Sequence, residues 1–81
     1  MKESRRTSRQ RTYKGGSVSF DAAPSIDCII RNLSETGACL EFQIQTNRIP
    51  DGLTLIIKPE LLKRVCKVVW RSANRIGVHF E

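Results

Sequence analysis

Apolar and polar positions alternate along most of the chain, which is the period of a half-buried β-strand. In one stretch Ile26, Cys28 and Ile30 are the apolar positions, and in another Leu40 and Phe42 are separated by a glutamate. Residues on one face of a strand are two apart, so these apolar residues are expected to face a common core. The pattern predicts six strands, at residues 17–20, 26–31, 38–42, 53–57, 65–71 and 75–80.

Turn-forming residues separate these strands. Pro24 lies in a loop, residues 46–52 form a long turn, and residues 72–74 have the length of a hairpin connection. Residues 59–63 fit either a short helical turn or a wide hairpin loop. Six short strands joined by turns predict an all-β fold, a small antiparallel barrel or sandwich. Closure into a barrel would remove the exposed edges of so small a sheet.

The first sixteen residues differ from the rest. Up to Lys14 they contain only Tyr13 as a large apolar side chain, so they cannot build a core and are expected to be disordered without a ligand. Gly15 and Gly16 then predict a break in the chain before the first strand. We therefore expect a flexible basic arm and hinge at residues 1–16 and a barrel at 17–81.

The net charge of +6 is concentrated in this arm. Residues 1–14 carry a net +5, and residues 15–81 carry +1. A basic arm on a nearly neutral body predicts an anionic partner. Arg5 and Arg9 lie on one side of the arm, and a guanidinium can pair with phosphate oxygens or with the guanine edge. Taken alone, the arm is more simply interpreted as a solvated basic tail that contacts nucleic acid without specificity.

The sequence shows few signs of metal binding, catalysis or membrane insertion. The three cysteines have no CxxC spacing, and only His79 could join them, so we expect structural thiols and no metal site. A lone histidine, with no acidic pair and no phosphate loop, indicates that the protein is not an enzyme. No apolar run reaches the ~18 residues of a membrane span, and the polar N-terminus is unlike a secretory signal. We expect a cytoplasmic protein without membrane insertion.

The polar turn at residues 32–37 is the second candidate feature. Asn32 and Ser34 can hydrogen-bond nearby backbone and still contact an external group. Gly37 is predicted to have a positive φ that lets the chain enter the next strand. By itself the turn is an ordinary joint between two strands.

Arm and turn together resemble the PilZ domain signature. Arg5 to Arg9 match its RxxxR motif, and residues 32–37 match its [D/N]xSxxG motif. Residues 68–71 and 75–80 are also similar to that family's closing strands. The resemblance implies a six-stranded antiparallel β-barrel that needs no cofactor and binds the bacterial second messenger cyclic di-GMP.

The resemblance also implies roles for individual residues. Arginines of the arm would grip guanine edges and phosphates, and the polar pair of the turn would contact guanine or phosphate. The glycine would allow close approach of the ligand. The implied ligand-binding residues are Arg5, Arg6 and Arg9 of the arm and Asn32, Ser34 and Gly37 of the turn.

The expected function is a non-enzymatic cyclic di-GMP receptor that orders its arm around the ligand and signals to a protein partner. One alternative is a small β-barrel nucleic-acid-binding protein that uses the arm for phosphates. Another is a protein-interaction module whose ligand site is vestigial. One or two ligand molecules in the site are both compatible with the sequence.

Overall fold

Six antiparallel strands close into a barrel. The computed structural model describes residues 10–21 and 24–81. None of these residues forms a helix long and apolar enough to cross a membrane. The predicted all-β barrel is confirmed. The strands are β1 (Gln10–Ser19), β2 (Ile26–Leu33), β3 (Gly37–Glu41), β4 (Gly52–Ile57), β5 (Leu62–Arg71) and β6 (Arg75–Phe80), with one 3-10 turn at Thr46–Arg48. Around the barrel their order is β1-β2-β3-β6-β5-β4.

The first strand starts earlier than predicted. β1 begins at Gln10 instead of residue 17, so Gly15 and Gly16 lie inside the sheet and pair with β2. A Cβ at Gly16 would lie 2.9 Å from the Ile30 side chain, so this glycine permits close approach and does not interrupt the strand. Of the arm and hinge predicted at residues 1–16, residues 10–16 belong to β1, and the part at residues 1–9 lies outside the described residues and stays a prediction.

The segment near residues 59–63, for which the sequence fitted either a helical turn or a wide hairpin loop, contains a hairpin loop. Ile57 of β4 is opposite Leu62 of β5, and four residues connect them. Leu61, the last of these four, has a positive φ of 60°.

The core contains one inward row of side chains from each strand. Val18, Ile30, Leu40, Leu55 and Ile76 are fully buried, so all of β1 to β4 and β6 contribute to it. Cys28 and Cys66, two of the three free cysteines, are buried in the same core, which confirms that they act as small hydrophobic groups. Burial raises the pKa of Cys28 to about 12 and that of Cys66 to about 11.

One arginine of β5 holds the long turn between β3 and β4 by hydrogen bonds. Arg71, the last residue of β5, donates hydrogen bonds from its guanidinium to the carbonyls of Thr46 and Ile49. The same guanidinium donates to the Asp51 carboxylate at 2.8 Å. Ile49 of this turn is buried in the core, so the hydrogen bonds from Arg71 hold both the turn and this core residue against β5.

Two neighbouring isoleucines of β2 provide a matched test of this core. Ile30→Ala should lower the free energy of unfolding by about 2–5 kcal/mol, because it leaves a cavity among fully buried side chains. Ile29→Ala should cost less than about 1 kcal/mol, since Ile29 is exposed. Urea titration measures both, and equal losses would contradict the strand orientation described here.

Candidate ligand-binding site

The Ser34 side chain builds the turn between β2 and β3. Its Oγ accepts hydrogen bonds from the backbone N–H groups of Thr36 and Gly37, both at 3.2 Å. Its backbone N–H donates to the Gly37 carbonyl at 2.9 Å. Its Oγ also donates to the Gly37 carbonyl at 3.3 Å, so the Ser34 hydroxyl can contact an external acceptor only in exchange for that bond.

Gly37 allows β3 and β6 to pack closely at this turn. Its φ is not positive, so the conformational role predicted from sequence is wrong. It is opposite His79 of β6, and an added Cβ would overlap the backbone carbonyl of Val78. The missing side chain therefore brings β3 and β6 together at the turn.

Irregular pairing surrounds Asn32 on both sides. The register between β1 and β2 shifts between Arg11 and Lys14, and that between β2 and β3 shifts between Ile30 and Asn32. Such bulges bend a strand and change the direction of nearby side chains. Asn32 is opposite Arg11 on one side and Cys39 on the other.

A further bulge forms the opposite wall of the site. The register between β5 and β6 shifts between Val68 and Trp70, and both Val69 and Trp70 are exposed on the barrel surface. Trp70 is opposite Gly77, and a Cβ at Gly77 would overlap the Trp70 indole. The indole thus occupies the space beside the bare backbone of β6.

These walls enclose a surface cleft of about 200 Å³. That is smaller than the roughly 300–1,000 Å³ of pockets that hold whole drug-sized ligands. None of the lining residues that the structure describes is Asp, Glu, Lys or Arg, so the cleft is polar but has no fixed charge. The lining consists of Asn32, Ser34, Thr36, Gly37, Ala38, Cys39, Val69, Trp70, Gly77, Val78 and His79.

Half of the sequence-predicted residues meet in this cleft. Asn32, Ser34 and Gly37 all line it, on the side formed by β2, β3 and their turn. The other half, Arg5, Arg6 and Arg9, lies outside the described residues. Their connection to the barrel is nevertheless defined, because Gln10 is opposite Leu33 and the chain therefore joins β1 beside the turn.

Sequence reasoning missed Trp70 and His79 as lining residues. In a regular strand Val69 and Trp70 would face opposite sides, and only the bulge brings both to the surface. The apolar run at 68–70, which breaks the alternation of β5, was the available signal. No three metal-ligating side chains in residues 10–21 and 24–81 are grouped to hold a metal ion.

The family model for the PilZ domain matches residues 3–81, nearly the whole chain. The chain therefore belongs to the PilZ family, as the paired motifs indicated. Membership implies a module that binds cyclic di-GMP, since PilZ domains are receptors for this dinucleotide and not enzymes. A search of curated proteins found no match.

The close approach at the turn can be tested with two glycines at strand starts. Gly37→Ala should lower the free energy of unfolding by about 1–3 kcal/mol, because its Cβ would push β3 away from the Val78 carbonyl. Gly52→Ala is the control, since a Cβ there has no neighbour within 4 Å. Urea unfolding compares them, and an unaffected Gly37→Ala protein would contradict this packing.

Proposed function

We propose that the chain is a non-enzymatic cyclic di-GMP receptor whose site has two parts. The cleft holds part of the ligand, and the basic N-terminal arm closes over it and supplies the positive charge. The observation that supports this division best is that the described lining has no cation. A ligand with two phosphate charges needs positive charge from elsewhere, and the arm joins the barrel at the edge of the cleft.

The turn itself offers little to an anion. The N–H groups of Ser34, Thr36 and Gly37 all donate within the turn, so they cannot form an anion-binding nest. Arg5 and Arg9 would therefore bind the phosphates and the guanine O6/N7 edges, where bidentate guanidinium pairing is favourable. Arg6 would add a further contact.

The cleft residues complement these donors. The Asn32 amide can both donate and accept, and the Ser34 hydroxyl would donate to a phosphate or carbonyl oxygen in place of the Gly37 carbonyl. Gly37 and Gly77 line the cleft with backbone alone, and the exposed Trp70 indole offers an aromatic surface for a guanine base. Each residue spans at most about 3.6 Å, so the backbone at Arg5 can lie no more than about 18 Å from Gln10. Both arginines of the motif can reach the cleft.

Binding energy can order the arm. Fixing a residue costs roughly 1–2 kcal/mol, and a charge-assisted hydrogen bond contributes about 1.5–3 kcal/mol. Several arginine contacts would thus offset the ordering of a similar number of residues. Because Gly15 and Gly16 are paired in β1, the arm would pivot before Gln10 instead of at the two glycines. The rearranged arm would present a new surface to a protein partner.

Calorimetric titration with cyclic di-GMP tests this proposal. Arg5→Ala or Arg9→Ala should weaken binding by roughly tenfold to hundredfold, as expected for losing one charge-assisted contact. Lys2→Ala is the matched control, because it removes a cation of the same arm outside the motif, and it should change affinity less than about threefold.

Two results would contradict the receptor function. One is the absence of binding at about 100 µM ligand. The other is an equal loss from all three substitutions, which would indicate diffuse electrostatic attraction. Single-stranded nucleic acid that binds more tightly than cyclic di-GMP, with a steep salt dependence, would favour the nucleic-acid-binding alternative.

Two side chains of the cleft can report where the ligand binds. Trp70 is the single tryptophan of the chain, so its emission should change on saturation with cyclic di-GMP. The ligand should also slow alkylation of Cys39, which lines the cleft. Cys28 and Cys66 are internal controls, because burial raises their pKa values and they should stay unreactive near pH 8. Calorimetric binding that changes neither signal would place the ligand elsewhere.

A further inference from the structure

One side chain in the wall of the cleft can gain a positive charge near neutral pH. His79 lines the cleft from β6, and its side chain is exposed. It is the single histidine of the chain, and histidine is the side chain that ordinarily changes its charge between pH 5 and 8. The described lining therefore has no fixed charge, yet it contains a group that becomes cationic when it binds a proton.

Backbone pairing holds His79 beside the signature turn. His79 is opposite Gly37 of β3, and this glycine has no side chain that could cover the imidazole. The next residue, Phe80, donates its backbone N–H to the Thr36 carbonyl at 2.8 Å. The strand that carries the imidazole is therefore joined directly to the turn whose Ser34 and Gly37 line the cleft.

A lysine faces His79 from the other neighbouring strand. Lys67 of β5 is directly opposite His79, and both side chains are exposed on the outer face of the barrel. The residues beside them in sequence, Cys66 and Val78, are buried, which agrees with this orientation. The Cβ atoms of directly opposite residues are about 4.5–5.5 Å apart, so an imidazolium and an ammonium at these positions can contact one anion.

The other titratable groups around His79 do not pair with it. Glu35 lies in the turn, Cys39 lines the cleft from β3, and Glu81 is two residues further along the chain than the histidine. No carboxylate of the described residues forms an ion pair with His79 or Lys67. An anion from outside the chain would thus be the first acidic partner of these two side chains.

We propose that His79 is a further ligand-binding residue, which pairs as imidazolium with a phosphate of the ligand, and that Lys67 contacts the same phosphate. This inference rests on the proposed receptor function and adds a control of affinity by pH. A phosphodiester keeps its negative charge throughout the neutral range, so it favours the protonated imidazole over the neutral one. Binding would therefore take up a proton, and affinity would rise as the pH falls from 8 to 6.

These contacts differ from those assigned to the arm in position and in pH dependence. The arm joins the barrel at Gln10 of β1, which is three strands from β6 around the barrel. Three strand spacings amount to roughly 14 Å, so each side of the cleft could take one of the two phosphates. Arginine stays protonated throughout this pH range, so Arg5 and Arg9 would contribute equally at pH 6 and pH 8.

Calorimetric titration with cyclic di-GMP at pH 6 and pH 8 tests the role of His79. The wild-type protein should bind about threefold to tenfold more tightly at pH 6, a gain between that of an exposed ion pair and that of a charge-assisted hydrogen bond. His79→Gln keeps a polar side chain that cannot gain a charge, so its affinities at the two pH values should agree within about twofold.

A matched pair of lysines tests the second cation. Lys67→Gln should weaken binding about threefold at both pH values, since lysine stays charged throughout. Lys63→Gln is the control, because Lys63 is exposed on the same face of β5 and does not line the cleft. It is four residues from Lys67, or about 13 Å along the strand, and its loss should leave affinity unchanged. All three variants should keep their urea midpoints, since the substituted side chains are exposed.

Proton NMR of the imidazole gives a direct readout. Because the chain has one histidine, its ring C–H signals belong to His79 alone. Saturation with cyclic di-GMP should raise the pH at which these signals titrate, because the bound phosphate favours the imidazolium. A histidine that served only the fold would titrate at the same pH with and without the ligand.

Three outcomes would overturn the proposal while the receptor function stands. The wild-type protein and His79→Gln could show the same dependence of affinity on pH, or the imidazole signals could titrate at one pH with and without the ligand. Lys67→Gln could also weaken binding no more than Lys63→Gln. Absence of binding at both pH values would contradict the receptor function itself, and this inference would fail with it.

Discussion

The contact between Trp70 and Gly77 connects the main features of this barrel. The bulge of β5 turns Trp70 outward, and the missing side chain of Gly77 gives the indole a place against β6. The indole then forms one wall of the cleft, and Val69 beside it stays exposed. The bulge therefore places one wall of the cleft on the exposed outer side of β5.

The basic side chains of the described barrel differ in whether they have an acidic partner. Within the barrel, Arg31 and Arg75 form ion pairs with Glu41, and Arg71 pairs with Asp51. These arginines support the structure. The lysines of β5 lack such acidic partners in the described residues, and the cleft has no charged lining. The proposed two-part site follows from this, because the positive charge that a dianionic ligand needs would come from the arm.

Alternation along the chain was sufficient to predict an all-β fold, a barrel or a sandwich, and the resemblance to the PilZ signature selected the barrel. Leu40 and Ile30 are buried as their strand positions required, since one face of each strand must meet the core. The bulges were not predictable, because an extra residue in one strand depends on the register of its neighbour. Trp70 was missed as a cleft residue for that reason.

The glycines were misinterpreted for a related reason. In a sequence, glycine indicates either a free backbone or the close approach of another group, and only tertiary neighbours distinguish the two. Gly37 was assigned a positive φ, whereas its neighbour is the Val78 carbonyl. Gly16 was assigned to a hinge, whereas it packs against Ile30 inside β1. At both positions glycine is needed because a side chain would meet a neighbouring strand, and not because the backbone takes a conformation that other residues avoid.

The hydrogen bonds of Ser34 limit which ligand chemistry suits the cleft. Since the two turn amides occupy its acceptor positions, Ser34 can offer only its hydroxyl hydrogen, in exchange for the bond to the Gly37 carbonyl, and the arginines assigned to the arm are donors alone. Asn32 is the one signature residue able to accept. A site built mainly from donors favours a ligand rich in acceptors, such as phosphate oxygens and the guanine O6/N7 edge. The signature motif thus contributes twice, because the serine that shapes the turn also fixes the polarity of what the turn can bind.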